Sequence, residues 1–331
     1  RAHSLMERYV LRQGLGSVSY GSVSRAVERA TGKAVAVKEI NGNFWSFDDV
    51  LKLREVRVLR RLRHPNIVML KEVIRQNDRC YLVFEVMESN LHDWIRSQKE
   101  PLTEDGVRSL AYRLLVATQH VHACGYFHRD LKPQNVLIDD SGSNLKIADF
   151  GAARETRSAQ PLTAYVATRW YRAPELLLRA SHYSTPIDMW AIGTILAELF
   201  RLRPLFPGTT DADQLHRIAA VLGNPSESVN GGSGAWRDGA VLLRQQNFAL
   251  AETPAVPLTP LLPNAGPDAV DLIGALLRWH PAKRLSADQC LRHPFFSSSM
   301  RVPRSLRDVR DALVRWAHAR RIRNEAHGTA S

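Results

Sequence analysis

An aspartate, a lysine two residues on and an asparagine five residues on stand together in His128-Arg129-Asp130-Leu131-Lys132-Pro133-Gln134-Asn135, and Asp149-Phe150-Gly151 follows fourteen residues after Asn135. The chemistry these residue types suit is phosphoryl transfer. Asp130 can accept the proton of an attacking hydroxyl, and Lys132 can neutralise charge on the moving phosphoryl group. Asn135 and Asp149 offer the oxygen ligands that magnesium takes where it bridges nucleotide phosphates. Lys38 ends the β-type run Val35-Ala36-Val37-Lys38, where an ammonium can reach the α- and β-phosphates.

Such residues need a scaffold that brings distant segments together. The chain has 331 residues, 44% of them hydrophobic, which is enough for two lobes around a real core. From Tyr9 to Cys80 the pattern is short β segments interrupted by one helix, with Tyr81-Leu82-Val83-Phe84 as a further strand. Ser46-Phe47-Asp48-Asp49 is a helix start ahead of a periodic segment from Val50 to Leu62. Within it Leu51, Glu55, Val58, Leu59 and Leu62 recur at spacings of three and four, so Glu55 falls on the inward stripe. A carboxylate there needs a cation, and Lys38 is the candidate.

From Leu91 onward helical periodicity dominates, at Val107–His122, Pro186–Phe200 and Ala269–Leu277. Asn224–Gly239 reads as a surface loop and Thr253–Pro267 as Pro-rich irregular chain. The apolar run Met189–Phe200 is too short to span a bilayer and contains Glu198, so a buried core helix is expected. Cys80, Cys124 and Cys290 form no CxxC pair and read as small buried residues of a reducing compartment. The start at Arg1 reads as that of an excised domain with no secretory leader.

The net charge of +12 is spread among acids and matches no nucleic-acid motif, so no nucleic-acid partner is expected. Eight arginines against three acids between Arg301 and Ser331 make the tail basic. Within it Ser305 to about Ile322 is an amphipathic helix, with Leu306, Val309, Leu313 and Trp316 on one stripe. Docking of that stripe on the chain's own folded part is the expectation.

The string from His128 to Asn135, with Asp149-Phe150-Gly151 behind it, resembles the catalytic loop and metal motif of eukaryotic protein kinases. That resemblance implies an α+β bilobal fold with a catalytic domain over residues 9–296, divided into an N-lobe to about 87 and a C-lobe from about 88. Residues 297–331 are then a basic extension, and the catalytic domain is expected to be monomeric. It implies ATP and Mg2+, held under a phosphate roof at Leu15, Gly16, Ser17, Val18, Ser19, Tyr20, Gly21, Ser22 and Val23. Val18 stands where the family's middle glycine is usual, and a stiffer loop with weaker nucleotide affinity follows as an expectation. Adenine would lie between Val23 and Ala36 above and Leu137 below. Phe84 would stand at the rear, and the backbone of Glu85, Val86 and Met87 would bond the ring. Asp188 looks like the family's brace for the catalytic-loop backbone, and Glu175 with Arg284 like its buried ion pair.

Lys132-Pro133 resembles serine/threonine rather than tyrosine kinases. Thr163-Ala164-Tyr165, ahead of Trp170-Tyr171-Arg172-Ala173-Pro174-Glu175, reads as a switch that phosphorylation by this kinase or an upstream kinase would order through arginines. Arg54, Arg129 and Arg154 are the candidates to gather at phosphothreonine, and Arg169 and Arg172 at phosphotyrosine. Arg172 also resembles the platform that admits proline after the target residue, so protein substrates with Ser-Pro or Thr-Pro sites are expected.

The wider pattern resembles the cyclin-dependent and mitogen-activated group. Phe44-Trp45-Ser46-Phe47, Leu53-Arg54-Glu55-Val56, Leu70-Lys71-Glu72-Val73-Ile74, Arg154-Glu155-Thr156-Arg157-Ser158 and Pro204-Leu205-Phe206-Pro207-Gly208 look most like its male-germ-cell-associated and long-flagella branch. A cytoplasmic, ciliary or flagellar setting and control of organelle length are what that implies, with the nucleus and another signalling pathway as alternatives. Departures are Val18, Ala164 and His280, the last where an acid is usual. An inactive scaffold is the competing class, and Val18 alone favours it.

Overall fold

The computed structural model describes residues 5–18, 21–156, 168–225, 236–251 and 254–297. Thr163, Tyr165, Ser19, Tyr20 and the expected tail helix lie outside them. A short helix α1 (Leu5–Arg8) leads into β1 (Tyr9–Val18), β2 (Gly21–Glu28), β3 (Ala34–Ile40), β4 (Leu70–Gln76) and β5 (Arg79–Glu85). They form one antiparallel sheet in the order β1-β2-β3-β5-β4. Side chains alternate across a strand. On β3 Val35 and Val37 therefore join a small cluster with Leu5, Tyr9, Ala26 and Val83, while Ala36 and Lys38 face the other way.

The expected helix over Val50–Leu62 is two helices, α2 (Phe47–Lys52) and α3 (Arg54–Arg61). Ser46 caps α2 in a reciprocal capping box with Asp49. The break is at Leu53, whose extended ψ of 131° lets its N–H close on Val50 O while its own carbonyl accepts Arg57 N to open α3. The periodicity survived the break because Val50, Val56, Val58 and Leu59 all enter the core.

Beyond β5 come β6 (Ser89–Asn90), α4 (Leu91–Ser97), α5 (Glu104–Ala123), β7 (Tyr126–Phe127), β8 (Val136–Ile138), β9 (Leu145–Ile147) and β10 (Arg154–Glu155). Then follow α6 (Pro174–Leu177), α7 (Pro186–Arg201), α8 (Asp211–Leu222), α9 (Arg237–Gln245), α10 (Pro267–Leu276), α11 (Ala287–Leu291) and α12 (Pro294–Ser297). The result is a sheet lobe with a helical lobe beneath it. Helix α7 is its axis: every residue from Ile187 to Phe200 is buried, the polar Asp188, Thr194 and Glu198 included. No described helix is long and apolar enough to cross a membrane. Cys80 and Cys290 are buried free thiols pushed up to about 12 by burial, whereas Cys124 is only half-buried.

The loop expected to run to Gly239 ends sooner, because α9 begins at Arg237 and Trp236 is buried. Gly239 makes room for that indole, since a Cβ on it would lie 2.0 Å from the ring. His280, the departure from an acid, still does an acid's local work by accepting the N–H of Ala282 at 3.2 Å.

Glu198 of α7 accepts the hydroxyl of Tyr171 at 2.7 Å, and burial pushes its carboxyl up to about 7. A raised carboxyl favours the fold most when protonated, so its contribution is complete below its unfolded pKa of about 4.5 and is lost as pH rises through about 7. Glu198→Gln removes that titration. Urea unfolding between pH 4.5 and 8 should show the wild type losing about 2–3 kcal/mol relative to this variant.

Candidate active site

Lys38 is brought to the cleft by β3 and Glu55 by α3, and both are almost fully buried. The Lys38 ammonium lies 2.9 and 2.8 Å from the two Glu55 oxygens and 2.8 Å from Asp149 Oδ1. Burial works against the ammonium, but the two carboxylates outweigh it and the Lys38 pKa is raised. For Asp149 burial opposes the charge and Lys38 overcomes it, holding its carboxyl below the usual range. Burial pushes Glu55 up, with Lys38 pulling against it. A buried carboxylate that a lysine half-neutralises stays in place only with that lysine.

Asp149 has left-handed backbone angles, φ 58° and ψ 71°, rare for a side chain this size. They are held because Phe150 is fully buried, with its ring edge-on to His128 at 4.9 Å. His128 in turn bonds Ala148 O through Nε2 at 2.9 Å, and Asp149 is therefore clamped on both sides.

Asp188, at the start of α7, accepts the backbone N–H of His128 at 2.8 Å and of Arg129 at 3.0 Å. Arg129 needs this brace, for its own φ is +73°. His122 of α5 adds a third contact, Nε2 to Asp188 Oδ2 at 2.9 Å. These contacts hold the Asp188 carboxyl below the usual range although burial opposes them. His122 was missed from sequence. No signal in the spacing marked it out, because α5 also carries Arg108, Arg113, Gln119 and His120.

On the loop so held, Asp130 Oδ2 receives Lys132 Nζ at 2.8 Å and Asn135 Nδ2 at 3.0 Å, and Asn135 also donates to Asp130 O at 2.8 Å. With its amide nitrogen committed, Asn135 keeps its oxygen for a cation. Asn135 and Asp149 fit Mg2+, which takes few protein oxygens and fills its shell with phosphate and water. No cluster of three or more His, Cys, Asp or Glu suited to a metal occurs among the described residues.

Val23 pairs with Lys38, and Ala36 with Phe84, so these four share one sheet face over the cleft. Leu137 lies on β8 beneath. Gly21 is fixed by close approach: a Cβ there would lie 1.8 Å from Glu39 O. Leu15 and Gly16 are exposed on β1, and in the backbone register Ser17 pairs with Ser22 and Val18 with Gly21. Met87 follows β5 at the rim of the cleft, where Glu85 N donates to Met69 O at 3.3 Å. The side chain of Glu85 has another use, an ion pair with Lys146 at 3.0 Å.

Arg129 and Arg54 both lie close enough to Arg154 to act on it as like charges. Burial first, then the charges of Arg129 and Arg54, lower the Arg154 pKa. Arg129 also lies 5.7 Å from the Tyr183 ring centroid. Arg169 Nε binds Asp211 Oδ1 of α8 at 2.7 Å, while Tyr165, which it was expected to hold, lies outside the described residues. Arg172 lines a small depression with Thr168, Tyr171, Leu176 and Ile187 beside Asp130. The platform is pinned from behind: Trp170 donates its indole N–H to Gly208 O at 3.0 Å. Arg284 binds Glu175 with both terminal nitrogens at 2.6 and 2.7 Å.

The description "Protein kinase domain" matches residues 9–296. Over 301 residues the chain is 46% identical to a rice protein named Cyclin-dependent kinase F-3, covering 91% of this chain and 68% of that one. It is 45% identical over 292 residues to human Serine/threonine-protein kinase MAK, covering 88% of this chain and 46% of the relative. Rat Serine/threonine-protein kinase ICK is 44% identical over 292 residues, 88% of this chain and 45% of its own. The chain thus spans about half the length of these mammalian relatives.

Asp188→Ala leaves two catalytic-loop N–H groups without their acceptor. Unfolding by urea should show a loss of about 2–4 kcal/mol.

Proposed function

Because this chain belongs to the protein kinase domain family, we propose that it transfers the γ-phosphoryl group of ATP to serine and threonine hydroxyls of proteins. The assembly of Asp130, Lys132 and Asn135 against Asp149, Lys38 and Glu55 carries this reading. Lys38, fixed by Glu55, holds the α- and β-phosphates. When bound at Asn135 and Asp149, Mg2+ supplies neutralisation of the phosphate charge. Asp130 orients the acceptor hydroxyl and takes its proton as the oxygen attacks the γ-phosphorus, whose bond to the bridging oxygen of the β-phosphate breaks to release ADP. Lys132, 2.8 Å from that carboxylate, meets the charge carried by the moving phosphoryl group.

Selection of a proline after the target is the second part of the proposal. The depression at Arg172 and Tyr171 lies next to Asp130, and proline has no N–H that would need an acceptor there. Phosphorylation at Thr163 and Tyr165 is the third part, supported by three arginines held near one another at a cost in repulsion. A role in cilium or flagellum length, in the cytoplasm or the organelle itself, rests only on the resemblance of the sequence segments to the long-flagella branch. Organelle length after loss of the kinase is its test.

Transfer of radiolabel from Mg-ATP to a Ser-Pro peptide should fall about 100- to 10,000-fold in Asp130→Asn, with nucleotide affinity kept. Equal transfer by the variant would remove Asp130 from the mechanism. Replacing Ser-Pro by Ser-Ala in the peptide should lower kcat/KM about tenfold or more. An unchanged value would remove the proline preference while leaving the kinase reading intact.

A further inference from the structure

The last turn of α5 places two soft donors side by side. Cys124 N closes on His120 O at 3.0 Å, and residues four apart on a helix share one face. His120 Nε2 accordingly stands 3.8 Å from Cys124 Sγ. With ordinary bonds to nitrogen and sulfur, two ligands of one tetrahedral Zn2+ stand about 3.6 Å apart. The pair therefore has the spacing of a chelate before any metal arrives. Both side chains are half-buried, so the helix holds them in place while an ion that keeps some water can still reach them.

The surroundings favour a cation. Helix α5 is 20 residues long, and its C-terminus is the negative end of its dipole. His64 lies against the pair, its ring centroid 5.3 Å from that of His120. Burial pushes His64 down to about 3, so it adds no charge of its own near neutral pH. It is no third ligand either. Its Nδ1 accepts the N–H of Asn66 at 3.0 Å, which leaves the proton on Nε2. Lys146 acts on His64 as a cation, but Glu85 meets that charge at 3.0 Å.

The pair also sits where the catalytic loop is supported. His122, between the two donors in sequence, reaches Asp188 at 2.9 Å. Gly125 O, directly after them, accepts Thr156 N at 2.9 Å and Thr156 Oγ1 at 3.3 Å. An ion bridging His120 and Cys124 pins the turn from which both contacts leave.

We propose that His120 and Cys124 form a binding site for Zn2+, with water in its remaining positions. On binding, the Cys124 S–H bond breaks, its proton passes to solvent, and sulfur gives the electron pair to the metal, so nothing is oxidised. Nitrogen and sulfur select a borderline-soft ion, whereas the oxygens of Asn135 and Asp149 suit Mg2+, and the two sites do not compete. The site is independent of the kinase reading.

Co2+ is the direct probe. Added to the whole chain with its thiols reduced, it should produce the near-ultraviolet absorption of a thiolate-bound metal. Zn2+ should displace that band, and excess Mg2+ should leave it unchanged. Cys124→Ser should abolish the band, since Cys80 and Cys290 are buried. His120→Gln should weaken Zn2+ binding about tenfold or more, read by competition with a chromophoric chelator, and serves alone should Cys124→Ser fold poorly. No thiolate band in the wild type, a band that survives in Cys124→Ser, or unchanged Zn2+ affinity in His120→Gln would overturn the site. Variants that melt earlier while the wild type shows no band would also overturn it, leaving a merely structural pair.

Discussion

Everything in the cleft depends on one buried ammonium shared between two carboxylates. Lys38 comes from the sheet, Glu55 from α3 and Asp149 from the segment after β9, so a single cation ties together three elements that share one apolar core. Burying these charges is costly, and each is tolerated only while its partner stays. Displacing α3 would strand Glu55 and Lys38 together. That penalty turns a flexible arrangement of helix, strand and loop into one with few alternatives. The strained backbone at Asp149 belongs to the same bargain, held by Phe150 in the core and by His128 behind it.

The catalytic loop is held from the opposite side. Asp188 spends its carboxylate on two backbone N–H groups and one histidine, and so turns the rigid core helix α7 into the reference point for Asp130. Helix α7 anchors the substrate side as well, through Glu198 and Tyr171, and Trp170 is pinned on Gly208. Base and platform thus share one support. Arg129 of the catalytic loop and Arg54, the first residue of α3, both act on Arg154 as like charges.

Much of this was legible in the sequence because it follows from local pattern. Glu55 on an apolar stripe demanded a cation, and alternation on Val35-Ala36-Val37-Lys38 put Lys38 on the cleft side. The core helix was legible from its mainly apolar run, Met189–Phe200. The break at Leu53 was hidden, since two short helices in line keep the same periodicity. Arg169 was assigned by nearness in sequence, whereas its partner Asp211 is 42 residues away. His122 and the Glu85–Lys146 contact were illegible for the same reason. Their partners are set by the packing of separate segments, which no spacing along the chain reports.

The most direct measurement is the single-turnover rate of phosphoryl transfer at saturating Mg-ATP, compared between the wild type and Glu55→Gln. If the shared ammonium organises the site, the amide loses a charged partner of Lys38 and the chemical step slows about 10- to 100-fold in a protein that still folds. Equal rates in the two proteins would contradict the claim that this buried charge network assembles the site.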